Sequence, residues 1–222
     1  MAKTIKRNKK FWDRIAPKYA RDPIKDESAY QAKLAMARGH LRKDMHLFEF
    51  GCGTGSTALA LADSVARIDA TDLSSEMIRI AEEKAKAAGV TNVHFHRSDI
   101  AHWDAEPASY DGVMAHSILH LLPDRREVMA QAVSFLKPGG LFISSTVCMR
   151  DMAFFWRLIL PVMRMIGLAP YVGIFSQEEL IAEQEAAGLT IIEQWKPKPD
   201  AAVFLIAQKR EAEPTTGGEH SF

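Results

Sequence analysis

Three glycines directly after an apolar segment constrain this chain more than any other feature. Residues 47–50 are a short apolar run, and the glycines follow at alternate positions, 51, 53 and 55. The helix-forming segment 57–62 comes next. A strand that turns into a helix through glycines presents bare backbone N–H groups to a ligand. A tight turn without a ligand has the same composition, so this motif needs support from the rest of the chain.

An acidic residue follows the second predicted strand. Residues 66–71 predict that strand, and Asp72 comes immediately after it. In β-α-β nucleotide sites, a carboxylate about 20 positions after the first glycine binds the ribose hydroxyls. A carboxylate suits this task because it can accept hydrogen bonds from two neighbouring hydroxyls. The alternative is that Asp72 caps the next helix, a role for which Ser74 competes.

A polar-acidic-apolar triplet follows the third predicted strand. Residues 93–97 predict the strand, and Ser98, Asp99 and Ile100 come next. This triplet can place a carboxylate near an adenine amino group and an aliphatic side chain on the adenine ring. Three strand ends that each supply a ligand-type residue are stronger evidence for a nucleoside site than any one of them.

Five segments of the chain, taken in order, resemble the class I S-adenosylmethionine-dependent methyltransferases. They are FEFGCGTG, ATDLSSEM, RSDI, YDGVMAHSILHLL and LKPGGLFISST, and they extend over residues 47–147. The motifs are specific for this superfamily but say almost nothing about the substrate. The resemblance implies an α/β fold, a three-layer Rossmann-like sandwich. Its seven-stranded sheet would be mostly parallel, with an antiparallel C-terminal hairpin.

The resemblance also implies that the cofactor is S-adenosyl-L-methionine. The glycine turn would carry the methionine side of the cofactor, and Asp72 would hold the ribose hydroxyls. Asp99 and Ile100 would frame the adenine, and Glu49 would act indirectly on the cofactor amine. The positions that the resemblance assigns to the cofactor are Tyr19, Glu49, Gly51, Gly53, Gly55, Asp72, Leu73, Met77, Ser98, Asp99, Ile100 and His116.

Charge and cysteine content exclude several classes of protein. The chain has 222 residues, with 28 basic and 28 acidic side chains. This balance gives no electrostatic reason to expect a nucleic acid partner. The two cysteines, Cys52 and Cys148, fall in or beside predicted core strands, so neither a disulfide framework nor a zinc site is indicated. The N-terminus lacks the apolar stretch of a secretory signal, which favours a cytoplasmic protein.

The alternation of strands and helices predicts a parallel sheet with helices on both faces. We expect an N-terminal helical cap at 1–43 and a methyltransferase core at 44–210. Within the core, a helical lid is inserted at 151–175, and residues 211–222 form a disordered tail. The basic residues near the N-terminus favour a solvated terminus, with contact to an anionic membrane surface as the alternative.

Several local signals define the second half of the core. Lys137, Pro138 and two glycines at 137–140 are expected to end a helix before a fifth strand at 141–147. Residues 176–179 have the sequence of a capping box that opens the next helix. Residues 189–195 and 201–207 predict two strands with no helix between them, which must therefore be antiparallel.

The segment 152–175 is apolar and has only two charged residues, Arg157 and Arg164. Its length permits a membrane span, but the chain must return to the same sheet afterwards, so no transmembrane segment is expected. We interpret it as a lid; peripheral contact with a bilayer or a partner subunit is the alternative. Its apolar composition suits a lipophilic acceptor and equally suits ordinary packing. Both a monomer and a homodimer are compatible with the sequence.

His116 and His120 are the candidate catalytic bases, because a histidine can accept a proton near neutral pH. The alternative is that His116 serves the cofactor through its backbone and that His120 is an ordinary turn residue. No metal site is expected, since no carboxylate or cysteine accompanies this pair at ligand spacing. For Tyr19, closure over the cofactor and packing on the sheet both remain open.

The leading hypothesis is a methyltransferase that acts on a small molecule. A non-catalytic S-adenosylmethionine-binding regulatory protein would keep the same cofactor residues but would need no acceptor pocket. An NAD(P)-dependent oxidoreductase would need the turn G-x-G-x-x-G, and Ser56 occupies the place of its last glycine.

Overall fold

The computed structural model describes residues 2–151 and 170–211, and the side chains from Lys9 onward within these ranges. In this part of the chain, seven strands form one sheet in the order β3-β2-β1-β4-β5-β7-β6. The strands are β1 (His46–Phe50), β2 (Arg67–Asp72), β3 (Val93–Arg97), β4 (Tyr110–His116), β5 (Leu136–Thr146), β6 (Leu189–Trp195) and β7 (Val203–Lys209).

Six of the seven strands run in one direction. β1 to β5 are parallel to one another, whereas β7 is antiparallel to both β5 and β6. The predicted fold class, with its antiparallel C-terminal hairpin, is therefore confirmed. The reversal of direction follows from the short connection between β6 and β7, which leaves no room for a crossover helix.

Helices cover both faces of the sheet. They are α1 (Ala2–Arg21), α2 (Glu27–His40), α3 (Ser56–Leu61), α4 (Ser75–Ala88), α5 (Arg125–Phe135) and α6 (Gln177–Ala186). Neighbouring residues of a strand point to opposite faces, so Phe48 and Phe142 belong to one buried cluster and Leu47 and Ile143 to the other. The core thus has two layers, one on each side of the sheet.

The sequence signals for helix starts correspond to hydrogen bonds in the structure. The Ser74 hydroxyl accepts a hydrogen bond from the Met77 N–H at 3.1 Å and begins α4. Ser176 and Glu179 form the predicted capping box at the start of α6. Each device satisfies backbone donors that a helix leaves without an internal partner.

The expectation for residues 137–140 was wrong in part. α5 ends at Phe135, as a helix before proline must, but β5 begins at once with Leu136. Tyr110 pairs with Leu136, and Gly112 pairs with Leu141, so residues 137–140 form a bulge inside the strand pair. Proline and glycine suit a bulge as well as a turn, and composition alone did not distinguish the two.

The two N-terminal helices are packed against the core. Ala16 of α1 is buried with Met77 of α4. The Asp13 carboxylate accepts hydrogen bonds from the Ser74 hydroxyl at 2.7 Å and from the Glu76 N–H at 3.3 Å. This carboxylate lies at the N-terminus of α4, where the helix dipole stabilises negative charge. The contact fixes α1 beside the carboxyl end of β2.

Most of the predicted lid and nearly all of the predicted tail lie outside the described residues. Among the residues that are described, no helix has both the length and the apolarity needed to cross a bilayer.

Candidate functional site

A cavity of about 220 Å³ lies at the carboxyl ends of β1, β2 and β4. Open α/β sheets bind their ligands at this edge. Most of the positions predicted to bind the cofactor line this cavity; they are Tyr19, Glu49, Gly51, Gly53, Asp72, Leu73, Met77, Ser98, Asp99, Ile100 and His116. Gly55 and His120 are not among its lining residues. The fold therefore brings together residues from α1 and from the ends of four strands, β1 to β4, or the turns that follow them.

The three glycines have positive φ angles but different surroundings. φ is +66° at Gly51, +55° at Gly53 and +73° at Gly55, a region that side chains disfavour. At Gly53, the nearest atom to an added Cβ would be 3.9 Å away, on the ring of Tyr19, so this glycine faces the open cavity. At Gly55, a Cβ would come within 2.6 Å of Phe95. Gly55 is thus required for packing beneath the turn.

Asp72 joins the glycine turn to the start of α4. Its carboxylate accepts hydrogen bonds from the Gly53 N–H at 2.9 Å and from the Ser74 N–H at 2.8 Å. Burial raises the pKa of Asp72, against the effect of these two hydrogen bonds. The N-cap of α4 is the Ser74 hydroxyl, so helix capping does not explain why a carboxylate is present at position 72. Each carboxylate oxygen has a second lone pair, which leaves room for ligand hydroxyls.

Glu49 is the most unusual residue of the cavity. It is 1% exposed, and burial raises its pKa to about 8; the N–H of Ala58 donates a hydrogen bond to it, and the nearby charge of Asp72 adds to the rise. Its Oε2 atom is buried without a hydrogen-bond partner in the described part of the chain. An unpaired buried carboxylate oxygen costs free energy. A cationic group in the cavity would supply the missing partner.

This unpaired oxygen is also a test of the cofactor that the motifs imply. S-adenosylmethionine carries an ammonium group, and a buried carboxylate that faces the cavity suits an ammonium partner. The bare backbone of Gly53 faces the same cavity, and Asp72 stands at the end of the next strand. The residues present therefore fit an adenosyl amino acid.

The triplet after β3 forms a short turn at the cavity. Asp99 caps the turn Ile100–His102 by accepting a hydrogen bond from the His102 N–H at 3.0 Å. The His102 ring lies 2.5 Å from the same carboxylate oxygen. Ile100 is 5% exposed and packs under the cavity wall. The proposed contact between Asp99 and the adenine stays a prediction. In that contact, the Asp99 carboxylate would bind His102 and the adenine at the same time.

The structure separates the two candidate bases. His116 ends β4 and lines the cavity, and its Nε2 atom is buried without a partner among the described residues. Burial lowers its pKa to about 4, so the ring is neutral at pH 7. His120 lies in the turn Leu119–Leu121, away from the cavity lining, and its carbonyl accepts a hydrogen bond from Gly173 N–H at 2.7 Å. Of the two histidines, only His116 lines this cavity.

Several cavity residues were not foreseen from the sequence. Trp12 from α1 and Ser117, Ile118 and Leu122 after β4 complete the wall. Ser117, Ile118 and Leu122 lie inside the motif YDGVMAHSILHLL, but nothing in their residue types identified them, and Trp12 lies outside the five motifs. Ser117 has a φ of +56°, which is rare for a residue with a side chain. Such strain is often found at functional sites.

Tyr19 lies at the mouth of the cavity. Its side chain is 51% exposed, and its ring is the nearest group to the open side of Gly53. Packing of the ring into the sheet core does not agree with this exposure. In the part of the chain that the structure describes, no group of three histidine, cysteine or acidic side chains could hold a metal ion.

Comparison with known proteins agrees with this geometry. Residues 47–140 match the family described as "Methyltransferase domain". The chain is 26% identical over 153 residues to a ubiquinone biosynthesis O-methyltransferase of Paracidovorax citrulli, covering 66% of this chain and 64% of the relative. It is 36% identical over 105 residues to a malonyl-[acyl-carrier protein] O-methyltransferase of Halalkalibacterium halodurans, covering 45% of this chain and 38% of the relative. The chain thus spans less than two thirds of the length of either relative.

A solved structure has the same fold. Geranyl diphosphate C-methyltransferase from Streptomyces coelicolor A3(2), solved with Mg²⁺, geranyl-S-thiolodiphosphate and S-adenosyl-L-homocysteine, superposes with a TM-score of 0.70. The match covers 82% of this chain and 76% of that one at 16% identity, which is evidence for the fold alone. In its motifs, its sheet topology and its relatives, the chain is similar to the class I S-adenosylmethionine-dependent methyltransferases, and the family match extends over residues 47–140.

Proposed function

We propose that this protein transfers the methyl group of S-adenosylmethionine to a small acceptor molecule. The observation that carries the proposal is the buried Glu49 carboxyl group, which has an unpartnered Oε2 and lines the same cavity as the bare backbone of Gly51 and Gly53. When bound, the cofactor supplies an electrophilic methyl group on a sulfonium. The residues of the chain then have to bind, orient and shield it.

Each residue role follows from its position in the cavity. Glu49 holds the cofactor amine, directly or through a bridging group, and Asp72 accepts hydrogen bonds from the ribose hydroxyls. The half-exposed ring of Tyr19 covers the glycine turn and excludes water. Well-oriented reactants reach effective molarities of about 10⁵–10⁸ M, so this positioning supplies a large part of the catalysis.

His116 is proposed to act on the acceptor. Its ring is neutral at pH 7, and its buried Nε2 atom has no partner among the described residues, so it can accept a proton from an acceptor hydroxyl. A histidine with a pKa of about 4 is a weak base. We therefore assign the larger part of the rate to orientation and the smaller part to proton transfer.

The proposed acceptor has an apolar body. Besides His116, the cavity lining includes the apolar side chains of Ile118, Leu121, Leu122 and Trp12. One sequence relative is named for ubiquinone biosynthesis, and one protein of the same fold was solved with a geranyl compound. These observations support a small lipophilic acceptor. The balanced charge of the chain supports no nucleic acid as substrate; we place the reaction in the cytoplasm.

Two measurements test the proposed function. In calorimetric titrations, the protein should bind S-adenosylmethionine and should not bind NADH. If it binds only NADH, an oxidoreductase becomes the better hypothesis. Incubation of the protein with methyl-labelled cofactor and a cell lysate should transfer label into lipid-extractable material. If label enters only water-soluble products, the lipophilic acceptor is wrong but methyl transfer stands. If no label is transferred although the cofactor binds, the non-catalytic binding protein becomes the better hypothesis.

A further inference from the structure

A second, smaller cavity adjoins the first. It has a volume of about 100 Å³ and lies between α2 and the sheet. It shares three lining residues with the first cavity, which are Thr57, His116 and Ser117. Its other lining residues are Tyr30, Lys33, Leu34, Ala37, Leu61 and Ser145. The ring of His116 therefore stands where the two cavities meet.

Lys33 is the charged residue of this second cavity. Its Nζ donates a hydrogen bond to the Ser145 hydroxyl at 2.8 Å, and within the described residues no carboxylate lies within 4.0 Å of it. Burial lowers the pKa of Lys33, which means that the ammonium is partly desolvated. A lysine ammonium has three donors, so two remain beyond the one used on Ser145. The charge of Asp26 acts on Lys33 only from beyond 4.0 Å, and a partly buried cation with no carboxylate in direct contact is unfavourable.

His116 and Lys33 meet on one face of the sheet. His116, Ser145 and Phe204 are register partners across β4, β5 and β7, so their side chains share a face. The His116 ring stacks on Phe204 with 6.5 Å between ring centroids. The charge of Lys33 contributes to the low pKa of His116, as expected for close neighbours. The cationic donor Lys33 is thus held beside the ring of His116.

We propose that this second cavity anchors a carboxylate of the methyl acceptor through the two remaining donors of Lys33 Nζ, beside the ring of His116. A carboxylate has two oxygens and about four acceptor positions, so it can accept hydrogen bonds from the two remaining donors of the Lys33 ammonium. The side chains of Leu34, Ala37 and Leu61 form an apolar lining that strengthens a charge-assisted contact. This inference rests on the proposed function and adds to it a substrate class, an acid with an apolar body.

The test compares a carboxylate with its neutral isostere. The protein is saturated with S-adenosylhomocysteine and titrated calorimetrically with benzoate and, separately, with benzamide. We expect the wild type to bind benzoate at least about tenfold more tightly, the effect of one charge-assisted hydrogen bond. K33Q should abolish this preference and leave the affinity for S-adenosylhomocysteine within about twofold. K25Q is the matched control, because Lys25 is exposed and lies outside both cavities; it should keep the preference.

Each contrary outcome has a distinct meaning. A wild type that binds S-adenosylhomocysteine but does not prefer benzoate overturns the inference and leaves the proposed function standing. The inference is also overturned if K33Q still binds benzoate more tightly than benzamide. Failure of the wild type to bind S-adenosylhomocysteine overturns the proposed function and the inference with it. If K33Q does not bind S-adenosylhomocysteine, K33M is used in its place. The preference of the wild type for benzoate over benzamide decides, without any variant, whether the site selects an anion.

Discussion

Binding of the cofactor should release a proton from Glu49. Burial raises the pKa of this carboxyl to about 8, so in the free protein at pH 7 it is protonated in about nine molecules out of ten. A cationic amine in the cavity favours the charged carboxylate. Binding therefore shifts Glu49 from its protonated to its ionised form. The expected release at pH 7 approaches 0.9 proton per cofactor bound, about the fraction protonated beforehand.

The same coupling fixes the pH dependence of affinity. The bound state holds fewer protons than the free state, so the affinity must rise with pH. With a pKa of about 8, the fraction of ionised Glu49 rises about ninefold between pH 6 and pH 7. The cofactor amine stays protonated over this range, and the affinity should rise by about the same factor. At pH 7, deprotonation of Glu49 costs about 1.4 kcal/mol of binding free energy.

Calorimetry in buffers of different ionisation enthalpy measures the proton release directly. S-adenosylhomocysteine is titrated into the wild type, E49Q and E82Q at pH 7. E49Q cannot lose the proton, so its observed enthalpy should not depend on the buffer, and its affinity should fall because the charged partner is missing. Glu82 is exposed on α4 and lies outside the cavity, so E82Q should behave as the wild type does.

The reasoning fails if the wild type binds S-adenosylhomocysteine at pH 7 with no proton release. It fails equally if the release persists in E49Q, because another group would then be the source. An affinity that stays flat between pH 6 and pH 7 would contradict the coupling independently of the enthalpies.

Three further predictions concern other residues. D72N should weaken S-adenosylhomocysteine binding by about 1.5–3 kcal/mol, because a charged acceptor is lost; an unchanged Kd by calorimetry would exclude the ribose role. G55A should destabilise the protein by about 2–5 kcal/mol in urea unfolding, since its Cβ would meet Phe95 in a left-handed conformation. Gly89 also has a positive φ, +64°, but an added Cβ there would meet no atom within 4 Å, so G89A should lower the free energy of unfolding by only about 1–2 kcal/mol. Equal losses of stability in G55A and G89A would refute the packing role of Gly55. Burial lowers the pKa of His120 from 6.5 to about 4, so its contribution to stability is complete above pH 6.5 and is lost as the pH falls through 4. As the pH falls from 6.5 to 4, the free energy of unfolding of H120F should therefore decrease by about 3 kcal/mol less than that of the wild type. Parallel profiles of unfolding free energy against pH would contradict this prediction.

The sequence was sufficient for the order of the elements and for the residues at the strand ends. The antiparallel pair of strands and the capping box at Ser176 follow from local rules, since a short connection and a cap leave few alternatives. Glu49, Gly53 and Asp72 could be assigned to one cavity because parallel strands end at the same edge of the sheet.

Other features depend on contacts between distant parts of the chain. Gly55 looked like a ligand-binding glycine, but its packing against Phe95 becomes visible only when β3 is in place. Asp13 binds the N-terminus of α4, which no local pattern indicates. The pairing of Lys33 with Ser145 joins residues 112 positions apart, and it depends on how α2 lies across the sheet. Such contacts are properties of the fold, beyond the reach of residue types and spacing.

The most direct test of this account is a crystal structure of the protein with S-adenosylhomocysteine. The account predicts the ligand at the carboxyl ends of β1, β2 and β4. Its amino group should lie on the Glu49 side of the glycine turn, and its ribose hydroxyls should lie within hydrogen-bond distance of Asp72. A ligand bound elsewhere, or a ribose turned away from Asp72, would contradict it.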